Sequence, residues 1–279
     1  MKKKYIYGVN NFSGVHVQGL KNSVYDIKDY LTNKEIIEEK FFDSQNENLK
    51  NLEIIADINS RVYETTNSLI KEGLLPVLFG GDHSIAIGSI SASSKNYDNL
   101  GVLWIDAHAD INNETTSPSG NIHGMPISFL LGNGVVSLSK IGGFSPKLKP
   151  ENIVYLGLRS VDPGEVQAIK DMNIKAYYYD EIKERTLQTC LEEVFEYLRN
   201  IENWHVQFDF DSMDPYLIPA VSTPVDGGFT EDEIIYLFDN ILSTDKIKAI
   251  DLVEYNKSND INGRTLKFAK KLLDKISDK

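Results

Sequence analysis

A chain of 279 residues with 41% hydrophobic and 25% charged side chains, 19 Gly and 9 Pro is ordinary for a globular protein, which excludes a disordered, collagen-like or solenoid chain. Its formal net charge of −12 speaks against nucleic acid as a partner, because a phosphate-binding surface needs excess Lys and Arg; it suits a cationic small molecule. One cysteine, Cys190, excludes an internal disulfide and a cysteine-rich metal cluster, and reads as a small buried hydrophobe.

Met1-Lys2-Lys3-Lys4 has the charge of a signal-peptide start. Asn10 and Asn11 interrupt the next stretch, and no apolar run of about 20 residues occurs, so a cytoplasmic protein with no membrane span is expected. A strand is expected near Ile6. Residues 49–71 carry Leu52, Ile55, Ile58, Val62, Leu69 and Ile70 near helical spacing. The apolar runs 74–79, 101–105 and 153–158 read as buried strands, and 174–178 is a further candidate. Residues 187–199 return to a helical pattern with Leu191, Val194, Phe195 and Leu198. A strand at 204–208, a helix at 231–242 behind a Thr230 cap and a strand at 247–253 complete the series. Strand and helix in alternation predict an α/β fold whose mainly parallel sheet is covered on both faces. No linker or repeat divides the chain, so one domain over residues 1–279 is expected.

Residues 112–121 and 212–228 lack periodicity and read as long loops directly after strands, where open α/β sheets bind ligands. Four clusters sit at strand ends: Gly80-Gly81-Asp82-His83-Ser84, Asp106-Ala107-His108-Ala109-Asp110, Asp209-Phe210-Asp211, and Glu254. Residues two apart in an extended chain point the same way, so Asp106, His108 and Asp110 converge, as do Asp209 and Asp211. Like charges converge at a cost unless a cation lies between them. His83, Asp106, His108, Asp110, Asp209 and Asp211 supply two imidazoles and four carboxylates, too many for one ion but suited to two. Four carboxylates balance two divalent cations, and mostly hard oxygen donors favour manganese over zinc. Such a pair activates a water, which points to a hydrolase.

Together these motifs resemble the ureohydrolase family (arginases, agmatinases and formimidoylglutamases) over roughly residues 74–256. The resemblance implies a three-layer α/β/α fold and two Mn²⁺ per subunit. It assigns Asp106 and Asp209 as bridging ligands, His83 and Asp110 to one ion, and His108 and Asp211 to the other. The segment Ile111-Asn112…Ser119-Gly120-Asn121-Ile122-His123-Gly124 is similar to the arginase loop. It implies that Asn112 and Ser119 hold a substrate α-carboxylate, and Arg159-Ser160-Val161-Asp162 that Asp162 holds the α-amino group. Neutral donors suit a carboxylate and an acid suits an ammonium. Glu254 matches the residue that grips the guanidinium, and His123 the proton-shuttling histidine.

The resemblance weakens at the N-terminus. Tyr7-Gly8-Val9-Asn10-Asn11 and Val24-Tyr25-Asp26 stand where arginases carry Gly-Ala-Pro and Gly-Pro, and Asn256-Lys257 replaces a Pro after the glutamate. His16 and His205 match no motif, and His205 reads as a satisfied strand residue.

The expected reaction is hydrolysis of L-arginine to L-ornithine and urea, with Asp110 orienting the attacking oxygen. The rivals are agmatinase or another guanidino-acid hydrolase, a two-metal phosphoesterase, and a non-catalytic relative. The family also implies a homo-oligomer, a trimer or hexamer.

Overall fold

The computed structural model describes residues 2–42 and 49–278. Among them eight strands build one parallel sheet: β1 (Lys4–Asn10), β2 (Ile36–Glu38), β3 (Leu75–Gly80), β4 (Leu100–Ile105), β5 (Ile153–Leu158), β6 (Lys175–Tyr178), β7 (Asn203–Asp209) and β8 (Ile247–Val253). Their spatial order is β2-β1-β3-β8-β7-β4-β5-β6. Parallel neighbours need long crossover connections, and helices supply most of them: α1 (Leu52–Lys71), α2 (Ala86–Asn96), the short α3 (Pro126–Leu130) and α4 (Val136–Ser139), α5 (Pro163–Asp171), α6 (Tyr179–Arg185), α7 (Leu187–Tyr197) and α8 (Glu231–Leu242), with α9 (Arg264–Asp278) closing the chain.

The alternation of side chains along each strand sorts them into two apolar layers. Val77 and Phe79, Leu103 and Ile105, and Val206 and Phe208 pack with α7, α8 and α9. Leu78 turns to the opposite face and meets α1, and Val102 and Trp104 meet α2 and α3. The expected three-layer α/β/α architecture is what the chain forms. No helix among the described residues is long and apolar enough to cross a membrane.

The expected strands are present with bounds shifted by a few residues at most, and the helix at 231–242 has the expected bounds. Thr230 caps it: its Oγ1 accepts from the Glu233 amide at 3.3 Å while Glu233 Oε2 accepts from the Thr230 amide at 2.8 Å. Seven of these elements lie outside the expectation: β2, α2, α3, α4, α5, α6 and α9. β2 is three residues at a sheet edge, too short for a period. α2 is buried all round through its first eight residues, Ala86 to Ser93, so it shows no amphipathic stripe.

The close seat of α2 depends on Gly88. Its amide, one of the unsatisfied donors of a helix start, donates to Asn59 Oδ1 of α1 at 2.7 Å. A Cβ there would stand 2.3 Å from the Asn59 carbonyl oxygen and 3.0 Å from Val62 Cβ. Gly88→Ala is therefore expected to destabilise the fold by roughly 1–3 kcal/mol through overpacking. Urea denaturation checks this, and an unshifted midpoint would mean that the two helices have slack.

Candidate metal centre

The sheet order makes neighbours of the four strands that end in acids and histidines: β3, β8, β7 and β4. Register pairs Phe79 with Leu252, Leu252 with Phe208, and Phe208 with Ile105. The residues just beyond these therefore leave the carboxyl edge of the sheet at one level. Two of them do so in the left-handed backbone region, Asp110 at φ 49° and Glu254 at φ 66°. Such conformations store about 1–3 kcal/mol each for non-glycine residues and recur at functional sites.

His83 Nδ1 lies 3.0 Å from Asp106 Oδ2, 3.1 Å from Asp110 Oδ2 and 3.1 Å from Asp209 Oδ2. His108 Nδ1 lies 3.1 Å from Asp211 Oδ2 and 3.5 Å from Asp106 Oδ1. Donor atoms thus gather into two compact groups, His83–Asp106–Asp110 and Asp106–His108–Asp211, which share Asp106. Asp209 belongs to neither group; one oxygen faces His83 and the other accepts from the Asp211 amide at 2.7 Å.

This donor set fits divalent cations. Neither ring nitrogen of His83 has an aligned hydrogen bond despite the three carboxylates around Nδ1, and Asp211 Oδ1 is buried without a partner. Unpaired buried polar atoms are expensive, and oxygen-rich convergent donors of this kind suit hard or borderline cations. The electrostatics agree. Burial works against a charge on His83, yet Asp106, Asp110 and Asp209 drive its pKa well above the usual histidine range. Burial likewise opposes charge on His108, and Asp211 and Asp106 raise it. Asp209 rises well above the carboxylate range through burial and then the charges of Asp211 and Asp106. Asp110 is raised by burial and by Asp106. Asp106 goes the other way: burial opposes its charge, but the nearness of His108 and His83 together outweighs it.

Glu254 and His123 adjoin the two groups. Glu254 Oε1 accepts from the His83 amide at 2.9 Å and lies 3.2 Å from His123 Nδ1, while its buried Oε2 has no partner. Burial lowers the His123 pKa, but Glu254, Asp110 and Asp82 together raise it further, so the net shift is upward. A cavity of about 140 Å³ opens beside these residues, lined by His108, Asp110, Asn112, Ser119, His123 and Asp162 among others. Asn112 Nδ2 donates to Asp162 Oδ2 at 2.9 Å, which leaves Asn112 Oδ1 buried and unpaired. Ser119 stands on the exposed rim, where its Oγ accepts from the Asn121 amide at 3.2 Å. The expected metal, catalytic and substrate residues therefore all gather around one cleft. The two unassigned histidines stay outside it: His16 is exposed, and His205 is buried in β7 with Ser93 Oγ 2.9 Å from its Nδ1.

Sequence reading missed several contributors. Trp104 Nε1 donates to Asp106 Oδ2 at 2.9 Å and its ring stacks on His83 at 4.1 Å; its place two residues before Asp106 was the available signal. Thr223 Oγ1 donates to Asp211 Oδ2 at 2.7 Å. The atypical N-terminal segment also packs here. The Gly14 amide donates to Asp82 Oδ2 at 2.8 Å, and the Gly14 carbonyl accepts from the His123 amide at 3.2 Å.

Glu165 was also unassigned. It lines the cleft at the start of α5 and accepts from the Ile111 amide at 3.1 Å and the Asp162 amide at 3.0 Å. Burial pushes its carboxyl up to about 7 from 4.5. A raised folded pKa means that its contribution to stability is fully present below pH 4.5 and is lost as pH rises through about 7. Removing the ionisation with Glu165→Gln should make the variant's stability, relative to the parent, improve between pH 5 and pH 8 by up to roughly 3 kcal/mol. Thermal unfolding of the metal-free proteins reads this, and a pH-independent difference would contradict it.

Comparisons with known proteins concern the chain as a whole. The model of the arginase family matches residues 13–277. The chain is 39% identical over 257 residues to an arginase of Bacillus subtilis, covering 92% of this chain and 85% of that one. A crystal structure of Bacillus subtilis arginase superposes with a TM-score of 0.95 at 35% identity, covering 100% of this chain and 99% of that one. The Entamoeba histolytica arginase, solved in complex with L-ornithine, superposes with a TM-score of 0.84 at 26% identity over 98% of each chain.

Proposed function

Because this chain belongs to the arginase family, we propose that it hydrolyses the guanidinium group of L-arginine to give L-ornithine and urea. The observation that carries the choice of substrate is that Asn112, Ser119 and Asp162 line the same cavity as His108, Asp110 and His123. A cleft with a cation-binding end and a separate set of carboxamide, hydroxyl and carboxylate groups matches an amino acid with a guanidinium at its far end.

In this reading His83, Asp106, His108, Asp110, Asp209 and Asp211 would hold two manganese ions. When bound, such ions supply Lewis-acid activation of water at neutral pH. The protein's own residues do the rest. Glu254 Oε2, buried and unpaired, accepts from the guanidinium and fixes its plane. Asp110 accepts a hydrogen bond from the attacking water and so orients it toward the guanidinium carbon. Asn112 and Ser119 donate to the α-carboxylate, and Asp162 accepts from the α-ammonium. His123, held against Glu254 at 3.2 Å, gives a proton to the departing ornithine amine. Its upward pKa shift supports that role.

The test is urea release from arginine, agmatine, guanidinobutyrate and formimidoylglutamate with added Mn²⁺. Arginine is expected to turn over with the highest kcat/KM by a wide margin. A preference for agmatine, which lacks the carboxylate, would remove the roles of Asn112 and Ser119. The absence of urea from any substrate would remove the activity itself.

A further inference from the structure

We infer that Arg159 is a positioning residue that sets one of the two cation positions, the Asp106–His108–Asp211 group, and leaves the other untouched. The inference rests on the two-cation reading above.

Arg159 is a half-buried side chain just past the end of β5. Among the described residues its guanidinium donates only to backbone carbonyls: Asp211 at 2.7 Å, Ser212 at 3.1 Å, Val225 at 3.1 Å, Met213 at 3.2 Å, Asp226 at 3.3 Å and Gly157 at 3.5 Å. Five of these acceptors belong to the loop that runs from Asp211 to Asp226. The two ends of that loop are widely separated along the chain, and one planar fork of donors ties them together, a geometry that an ammonium cannot reproduce. The same loop carries Thr223, whose hydroxyl holds Asp211 Oδ2.

The backbone of Arg159 is anchored on the other half of the group. The amides of Arg159 and Ser160 both donate to the Ala107 carbonyl, at 2.9 and 3.0 Å, and Ala107 lies between Asp106 and His108. One residue thus connects the turn that presents His108 with the loop that presents Asp211, whose donor atoms stand 3.1 Å apart. His83 and Asp110 receive no hydrogen bond from Arg159 among the described residues. The space around the guanidinium is closed as well: a Cβ on Gly228 would come within 2.7 Å of Arg159 Nη2, and the Tyr179 ring lies 5.8 Å from the guanidinium carbon. Loosening this clamp should therefore act on one position and spare its neighbour.

Calorimetric titration of the metal-free chain with Mn²⁺, parent against Arg159→Lys, tests this, with circular dichroism showing that the variant is folded. The parent is expected to take up two ions per chain; fewer would refute the two-cation reading and leave the role of Arg159 without a basis. In the variant one ion should bind within about twofold of the parent affinity and the other roughly 10–100-fold more weakly, the range typical of lost outer-shell support. Two ions bound as in the parent, or both weakened equally, would overturn the inference. If the variant does not fold, hydrogen exchange on the unmodified metal-free chain decides. Amides of the 211–226 loop that already exchange slowly support the clamp, whereas protection that arises only on adding Mn²⁺ would overturn it.

Discussion

Asp209→Asn should lower urea release by on the order of 10³-fold or more, because the hydrolytic water depends on the cations for its reactivity, yet leave the metal-free fold at least as stable as the parent. The two effects have opposite signs for one reason. Asp209 is buried, and the charges of Asp211 and Asp106 push its carboxyl well above the usual range, so its ionisation opposes folding. Asparagine keeps the oxygen that accepts from the Asp211 amide and removes the repulsion. It also removes the anionic oxygen that faces His83. Mn²⁺ stabilises a chain in proportion to its preference for the folded state, so the parent should gain several degrees of melting temperature on loading and the variant much less. Thermal unfolding with and without Mn²⁺, beside the urea assay, measures both. A variant that is less stable than the parent without metal and still strongly stabilised by it would show that Asp209 is a structural acid and not part of the cation site.

The candidate metal residues were legible because their signal is local. Asp106-Ala107-His108-Ala109-Asp110 has the alternation of an extended chain and comes directly after an apolar run, so side and strand end can both be read from ten residues. Which clusters meet is a different matter. Glu254 and His83 are 171 positions apart, and their contact arises from β8 lying between β3 and β7, an order that no local pattern encodes. For that step the motif resemblance did what spacing could not.

The features that stayed hidden share a cause. α2 is buried on all sides, so its Ser- and Gly-rich stretch has no polar face to give it a period. Trp104, Thr223 and Glu165 act through partners that only the tertiary fold brings near, although Trp104 shares its strand face with Asp106. The departure of the N-terminal segment from the arginase pattern left its part in the pocket rim open, and the fold supplies one: Gly14 lies against Asp82, where a Cβ would come 2.2 Å from Oδ1, and holds the backbone of His123. That segment keeps its role through main-chain atoms, which a change of side chains does not reveal.

Glu254→Gln separates binding of the guanidinium from binding of the cations. Glu254 Oε1 is committed to the His83 amide and to His123, and an amide oxygen can keep the first of these bonds. The other oxygen is buried, unpaired and next to the cleft. In the glutamine variant that atom becomes an NH₂ donor facing the donors of the guanidinium, so an attraction turns into a buried mismatch. Removing one partner of a buried charge pair costs about 2–5 kcal/mol, which is roughly a 30- to several-thousandfold loss in kcat/KM for arginine. Mn²⁺ uptake should remain at the parent level, because Glu254 contributes to neither donor group. The pairing of His123 with an anionic oxygen is also lost, and since that pairing holds its pKa up, the histidine's acid form should persist to a lower pH limit in the variant. The pH profile of the residual activity would then fall away at lower pH than in the parent. Steady-state kinetics across pH together with metal analysis give both readouts. If the variant loses its manganese, Glu254 supports the cation site, and its assignment as the guanidinium acceptor would have to be given up.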